Sequence, residues 1–156
     1  MIVAGLFAYP RQYLELSAYA CQPGRSFRAG ITYMDFYTEG MIKPEIARIR
    51  HREDGVRFTQ AEAAARRAGP EADQLVARVI AASLRTGAWR EGTRGQVFLL
   101  SGADDPETIR LGRPILNDTV SARSGKTVAW TQGQRYLHLS ALLALGLKVT
   151  SDLATM

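Results

Sequence analysis

The spacing of apolar and polar residues changes along the chain and divides it into strands, then helices, then strands again. Ile2 to Tyr9 is a short apolar run that reads as a buried strand stopped by Pro10. From Tyr13 to Cys21 the apolar positions Tyr13, Leu14, Leu16 and Tyr19 fit a short helix and a strand equally, and Pro23-Gly24 marks a turn. The period then becomes two. Ile31, Tyr33 and Tyr37 fall on one face of an extended segment, Met34 and Phe36 on the other, and their β-branched and aromatic character favours a strand. Glu39-Gly40 supplies a turn, and Met41 to Arg52 runs back as a second strand with Pro44 near its start. Asp54-Gly55 predicts a hairpin into Val56–Phe58, completing an antiparallel meander.

Helical spacing follows. Thr59 and Glu62 form a capping box, since the hydroxyl and the carboxylate each satisfy an amide left unpaired at a helix start. The first helix runs from Gln60 to Ala68 and ends at Gly69-Pro70. Pro70 suits the first turn of a second helix that reaches Arg85, with Leu75, Val76, Val79, Ile80 and Leu84 on one apolar face. Beyond Trp89, short strands are expected at Gln96–Leu100, Thr108–Ile115, Thr127–Thr131 and Tyr136–Leu139, with an exposed loop from Asn117 to Gly125. Ser140 caps a closing helix, Ala141 to Leu145, stopped by Gly146. The order lacks βαβ alternation. It predicts one α+β domain over residues 1–156, a curved antiparallel or mixed sheet flanked by helices.

Composition alters this picture little. Of 156 residues 46% are hydrophobic and 22% charged, which excludes wholesale disorder and a multi-pass membrane protein. Cys21 stands alone, so neither an intramolecular disulfide nor a thiolate zinc cluster can form. Met1 to Ala8 is too short for a membrane span and lacks the leading positive charge of a signal peptide. A soluble cytoplasmic protein without a membrane partner is therefore the expectation. The formal charge of +5 is divided evenly along the chain, and all but Lys43, Lys126 and Lys148 of the basic residues are arginine. Arginine pairs bidentately with phosphate and stacks on bases, so a face made by folding could engage DNA or RNA.

Candidate chemistry narrows quickly. Ser124-Gly125-Lys126-Thr127 has the ending of a phosphate-binding loop, but Val120 stands where its first glycine is needed. Asp35 and Glu45 could be neighbours across the first hairpin, as in metal-dependent nucleases, but Ala47 replaces the lysine that would steady the transition state. Asp104, Asp105 and Glu107 flank Pro106 as turn residues do. His51 and His138 have no second ligand at metal-binding spacing, and no G-x-S-x-G elbow is present. No metal, cofactor or catalytic set is assigned. What remains is Arg48, Arg50 and Arg52, whose spacing on a strand puts three guanidiniums on one face with Ile49 on the other. Such a row matches phosphates along a nucleic-acid backbone, and its alternative is a solvated face balanced by Glu45, Glu53 and Asp54. Tyr33, Tyr37, Trp89, Trp130 and Tyr136 are candidate stacking surfaces, although aromatic residues at such positions belong first to the core.

Tyr33–Tyr37, the Thr38-Glu39-Gly40 turn, Ile42 and Ile46–Ile49 resemble the strand–turn–strand of EVE and related PUA-like domains. Val97–Leu100 and Leu111–Ile115 resemble their late strands. The resemblance implies a small β-barrel flanked by helices that binds RNA or modified DNA without catalysis, accepting a modified or flipped base beside the barrel. Carried over by position, it makes Tyr37 and Trp130 pocket aromatics and Arg48 and Arg50 phosphate contacts. The expectation is a nucleic-acid-binding domain. Its rivals are a small-molecule enzyme using Asp35, Glu45 and His51 or His138, and a homodimeric interaction module using the N-terminal strand or the closing helix.

Overall fold

The computed structural model describes residues 1–144 and 147–155. The first strand, β1, is only Ile2–Ala4, because the chain turns at Leu6 and Phe7 rather than at Pro10. Pro10 instead lies near the start of a π-helical turn, Tyr9–Tyr13, where its missing N–H goes unneeded. The ambiguous Tyr13–Cys21 stretch is both things it resembled: a one-turn helix α1, Leu14–Leu16, and a strand β2, Ala18–Cys21. Ser17, with φ of 51°, makes the change of direction between them.

Strand β3, Tyr33–Thr38, turns at Glu39 and Gly40, both at positive φ, into β4, Met41–Ile42. Pro44 interrupts the return, which resumes as the long β5, Glu45–Phe58. Asp54-Gly55 is therefore not a hairpin. Gly55, at φ of 75°, sits where the register of β5 against its neighbour shifts between Glu53 and Val56. A left-handed glycine serves a β-bulge as well as a tight hairpin, and here the strand continues.

Thr59 accepts from the Glu62 N–H at 3.0 Å and starts α2, Gln60–Arg66, which stops two residues short of Ala68. The other half of the capping box is not formed, because the Glu62 carboxylate accepts from Arg66 at 2.7 Å and the Thr59 N–H donates to the Arg57 carbonyl at 3.2 Å. Helix α3, Glu71–Arg85, follows Pro70 and buries Val76, Val79 and Ile80. Strand β6, Thr93–Leu100, then runs antiparallel to β5. After an excursion through residues 102–108, the short β7, Ile109–Arg110, resumes pairing with the start of β5. Strand β8 is Ile115–Leu116 and β9 is Gln134–Arg135. The strand expected at Thr127–Thr131 reduces to a single bridge between Val120 and Thr127, and that expected at Tyr136–Leu139 moves two residues earlier. Helix α4 is Leu139–Leu143, preceded by His138 rather than capped at Ser140; the predicted helix end at Leu145 and Gly146 lies outside the described residues.

The sheet order is β2-β6-β5-β3-β1-β9, with β4, β7 and β8 off this path. Of the strand pairs among the described residues β1 and β3 run parallel, Leu116 of β8 makes one isolated parallel bridge to Val149, and the rest are antiparallel, so the sheet is mixed and the domain α+β. It is not closed into the barrel that the resemblance implied. β2 and β9 are its two ends, and the Ala20 N–H on β2 is taken by the Gln12 side chain at 2.9 Å. A side chain thus occupies the edge where a closing strand would have to bond.

Three apolar clusters hold the layers. Tyr13, Tyr19, Met34, Phe36 and Phe98 gather under the π-helical turn. Val56, Phe58, Val76, Ile80 and Val97 join α2 and α3 to β5 and β6. Ile2, Tyr37, Ile42 and Ile46 are covered by Ile115, Trp130, Leu142 and Leu153 from the last third of the chain. β3 therefore sends Met34 and Phe36 to one face and Tyr33 and Tyr37 to the other, as its alternation predicts. β1 lies between β3 and β9, so the N-terminal strand is interior and offers no edge to a second chain.

Candidate functional site

The arginine row on β5 does not survive folding as one face. β5 advances two residues, Ile49 to His51, while β6 advances one, Leu100 to Leu99. The bulge reverses the alternation beyond it. Arg48 and Arg50 point the same way and share Glu107, at 3.4 and 2.7 Å. Arg52 turns to the opposite face, where its guanidinium lies over Phe27 and Phe98 and pairs with Asp54 at 3.1 Å. Arg50 also holds Asp105 at 2.6 Å, and Arg110 holds Asp104 at 2.7 Å. Asp105 caps the Glu107 N–H at 2.9 Å, so the acidic segment is the turn its residues predicted. It also neutralises the stripe. Tyr37 and Trp130 are both buried in the third cluster, their rings 6.2 Å apart, and the Tyr37 hydroxyl accepts from Asn117 at 2.9 Å.

A different set of arginines has one carboxylate among them. Along the β2 edge, two cavities of about 660 and 710 Å³ meet at Phe7, Gln12, Ala88 and Trp89. Arg25, Arg90 and Arg94 line the first, Arg11 and Arg85 the second. The lining holds one carboxylate, Glu15, which Arg11 engages at 3.1 Å. Arg25 donates to the Tyr19 hydroxyl at 2.9 Å, which holds it beside the strand. Arg94 stands directly opposite Arg57 in the β5–β6 ladder, and like charges in that position oppose pairing unless an anion is shared between them.

The apolar part of this groove is built as deliberately. Leu6 and Phe7, in the turn after β1, are 66% and 77% exposed. Trp89 stacks on Phe58 with ring centroids 4.1 Å apart and planes 9° from parallel. Gly95 makes that stack possible, because a Cβ there would stand 2.5 Å from the Trp89 ring and 2.9 Å from Phe58. Cys21, at the groove floor, is a buried thiol whose pKa is pushed up to about 11 by burial, so it is no nucleophile.

A separate cavity, of about 420 Å³, lies at the opposite end of the sheet and is lined by Asp35 and His138. Asp35 is wholly buried; its Oδ1 accepts from the Phe36 N–H at 2.5 Å and its Oδ2 has no hydrogen-bond partner. Burial holds this carboxyl well above the usual carboxylate range, although the Phe36 N–H and the Met1 ammonium pull it down and Glu45 adds to the rise. Glu45 does not join it, since its carboxylate takes the Tyr9 hydroxyl at 2.8 Å on the other side of the sheet. His51 faces Glu53 at 3.7 Å and lines neither this cavity nor the groove. No group of three or more His, Cys, Asp or Glu among the described residues could hold a metal ion. Gly125 has φ of 65° in an exposed turn with no helix after it, so Ser124–Thr127 lacks the geometry of a phosphate loop.

No family model, curated protein or solved structure matches this chain. The functional reading therefore rests on its own geometry. Of the aromatics singled out from sequence, Trp89 enters the groove and Tyr33 and Tyr136 enter the Asp35 cavity. Arg25, Arg90, Arg94, Leu6 and Phe7 carried no local signal: they come from three separate segments, and only the fold assembles them.

Proposed function

We propose that this protein binds single-stranded nucleic acid along the groove at the β2 edge. The observation that carries the reading is five arginines around one paired carboxylate, interleaved with exposed Phe7 and half-buried Trp89. Unpaired guanidiniums follow phosphates, and aromatic faces accept bases of any sequence, which together describe a single-strand groove. A duplex presents its bases already stacked and gains only the charge term. The resemblance of the β3–β5 region to EVE and PUA-like domains supports the same partner class, but the groove does not depend on a barrel.

The test compares two triple variants on labelled oligonucleotides of about 20 bases at roughly 50 and 200 mM salt. Single strands should bind more tightly than the matching duplex. Arg25→Gln, Arg90→Gln and Arg94→Gln together should reduce the slope of log affinity against log salt by about 2, at roughly 0.7 for each phosphate no longer neutralised. The corresponding variant at Arg48, Arg50 and Arg52 should leave the slope unchanged. Absence of binding at the lower salt, or a slope carried by the β5 arginines instead, overturns the proposal.

A further inference from the structure

The Asp35 cavity has an acid at its floor and bases at its mouth, a polarity that the nucleic-acid groove lacks. Asp35 is 0% exposed, whereas Arg28 and His138, which line the same cavity, are exposed. Between them stand the buried side chains of Ile46 and Leu142 and the rings of Tyr33 and Tyr136. The Arg28 guanidinium is fixed 4.5 Å from the centre of the Tyr136 ring, and the Tyr136 hydroxyl accepts from Gln134 at 2.8 Å. Arg28 has no carboxylate partner among the described residues. The Met1 α-amino group, beside Asp35, is engaged with the Tyr33 carbonyl at 2.9 Å.

A buried carboxyl oxygen without a donor is costly, and native interiors leave few such groups unexplained. The missing partner must be a donor small enough to reach past apolar walls. An ammonium satisfies this: Asp35 loses its proton to solvent as the ammonium arrives, and the carboxylate then accepts the ammonium's hydrogen bond. A simple amine, however, would have to pass the Arg28 guanidinium at the mouth. A molecule bearing its own anion at the outer end meets Arg28 there instead, and its apolar middle lies against Ile46 and Leu142.

We propose that this cavity binds a small zwitterion, its primary ammonium received by Asp35 Oδ2 and its carboxylate by Arg28, with a short apolar chain between. The site is separate from the groove and stands or falls without it. Calorimetry on the full chain, with γ-aminobutyrate, δ-aminovalerate and ε-aminocaproate as probes, tests the idea against butylamine and butyrate. At least one zwitterion should bind about tenfold more tightly than either one-ended control. Asp35→Asn should weaken it by about tenfold or more, and Arg28→Gln by several-fold, the range expected when a charged hydrogen bond is lost. Leu139→Trp, which fills the cavity from the α4 side and leaves Asp35 in place, should abolish binding with the circular dichroism unchanged. Silence from all three zwitterions, butylamine binding as tightly as they do, or binding that survives Leu139→Trp would each overturn the proposal. The last also decides the matter should the Asp35 variant fail to fold.

Discussion

Asp35 shows how a single residue can be conspicuous in a sequence and misread there. The period of two that puts Tyr33 and Tyr37 on one face of β3 and Met34 and Phe36 on the other was legible, and so was the nearness of Asp35 to Glu45 across the first hairpin. What pattern could not reveal was that Glu45 belongs to the other side of the sheet, because Pro44 interrupts the return strand between them. The raised pKa of Asp35 carries a pH signature. The folded state holds the proton more tightly than the unfolded chain. The stabilisation is therefore complete below the ordinary carboxylate value of about 4 and is lost as pH rises toward the folded value. Asp35→Asn does not titrate, so its stability relative to the native chain should improve from about pH 4 upward and show no such gain below it. Urea denaturation of both proteins across that range measures the difference. A gap independent of pH would mean that the carboxyl titrates normally.

At the scale of elements, legibility followed the range of the signal. α2 and α3 are set by residues within a few positions of one another, and Thr59, Glu62, Pro70 and Arg85 mark them where the pattern places them. β5 failed as a single pattern because two bulges lie inside it, and a bulge is fixed by the partner strand rather than by local residues. Splitting the arginine row was the consequence. The sheet and the helices are joined by another arginine that no pattern singled out. Arg66 on α2 reaches Glu53 on β5 at 2.5 and 2.8 Å, Glu62 at 2.7 Å and Asp73 on α3 at 3.1 Å. Its bond holds the Glu53 carboxyl below its usual range. Arg66→Met would leave three carboxylates facing one another, at a cost of about 2 kcal/mol once partial exposure is allowed for. Arg66→Lys should recover only part of this, since one ammonium cannot replace a fork that reaches three elements. Denaturant midpoints of the two variants give the comparison.

For the whole molecule, the even spread of charge along the chain concealed an uneven surface. Folding pairs Arg48, Arg50, Arg52, Arg66 and Arg110 with carboxylates and leaves Arg25, Arg90 and Arg94 together in the groove. The third cluster is equally non-local, because its cover comes from beyond residue 110. A chain ending at Arg110 should therefore expose Ile2, Tyr37, Ile42 and Ile46 as one patch, bind an apolar dye and elute as aggregate on size exclusion, whereas the full chain should do neither. β1 carries this logic into time. Its residues leave the ribosome before both strands they pair with, since one of its edges bonds Asp35–Tyr37 and the other Gln134–Arg135. Pairing across such sequence separation is slow, and no vectorial order of synthesis can shorten it. β1 is thus among the last strands to be finished, and until then the nascent domain presents an unpaired hydrophobic edge that chaperones are suited to shield.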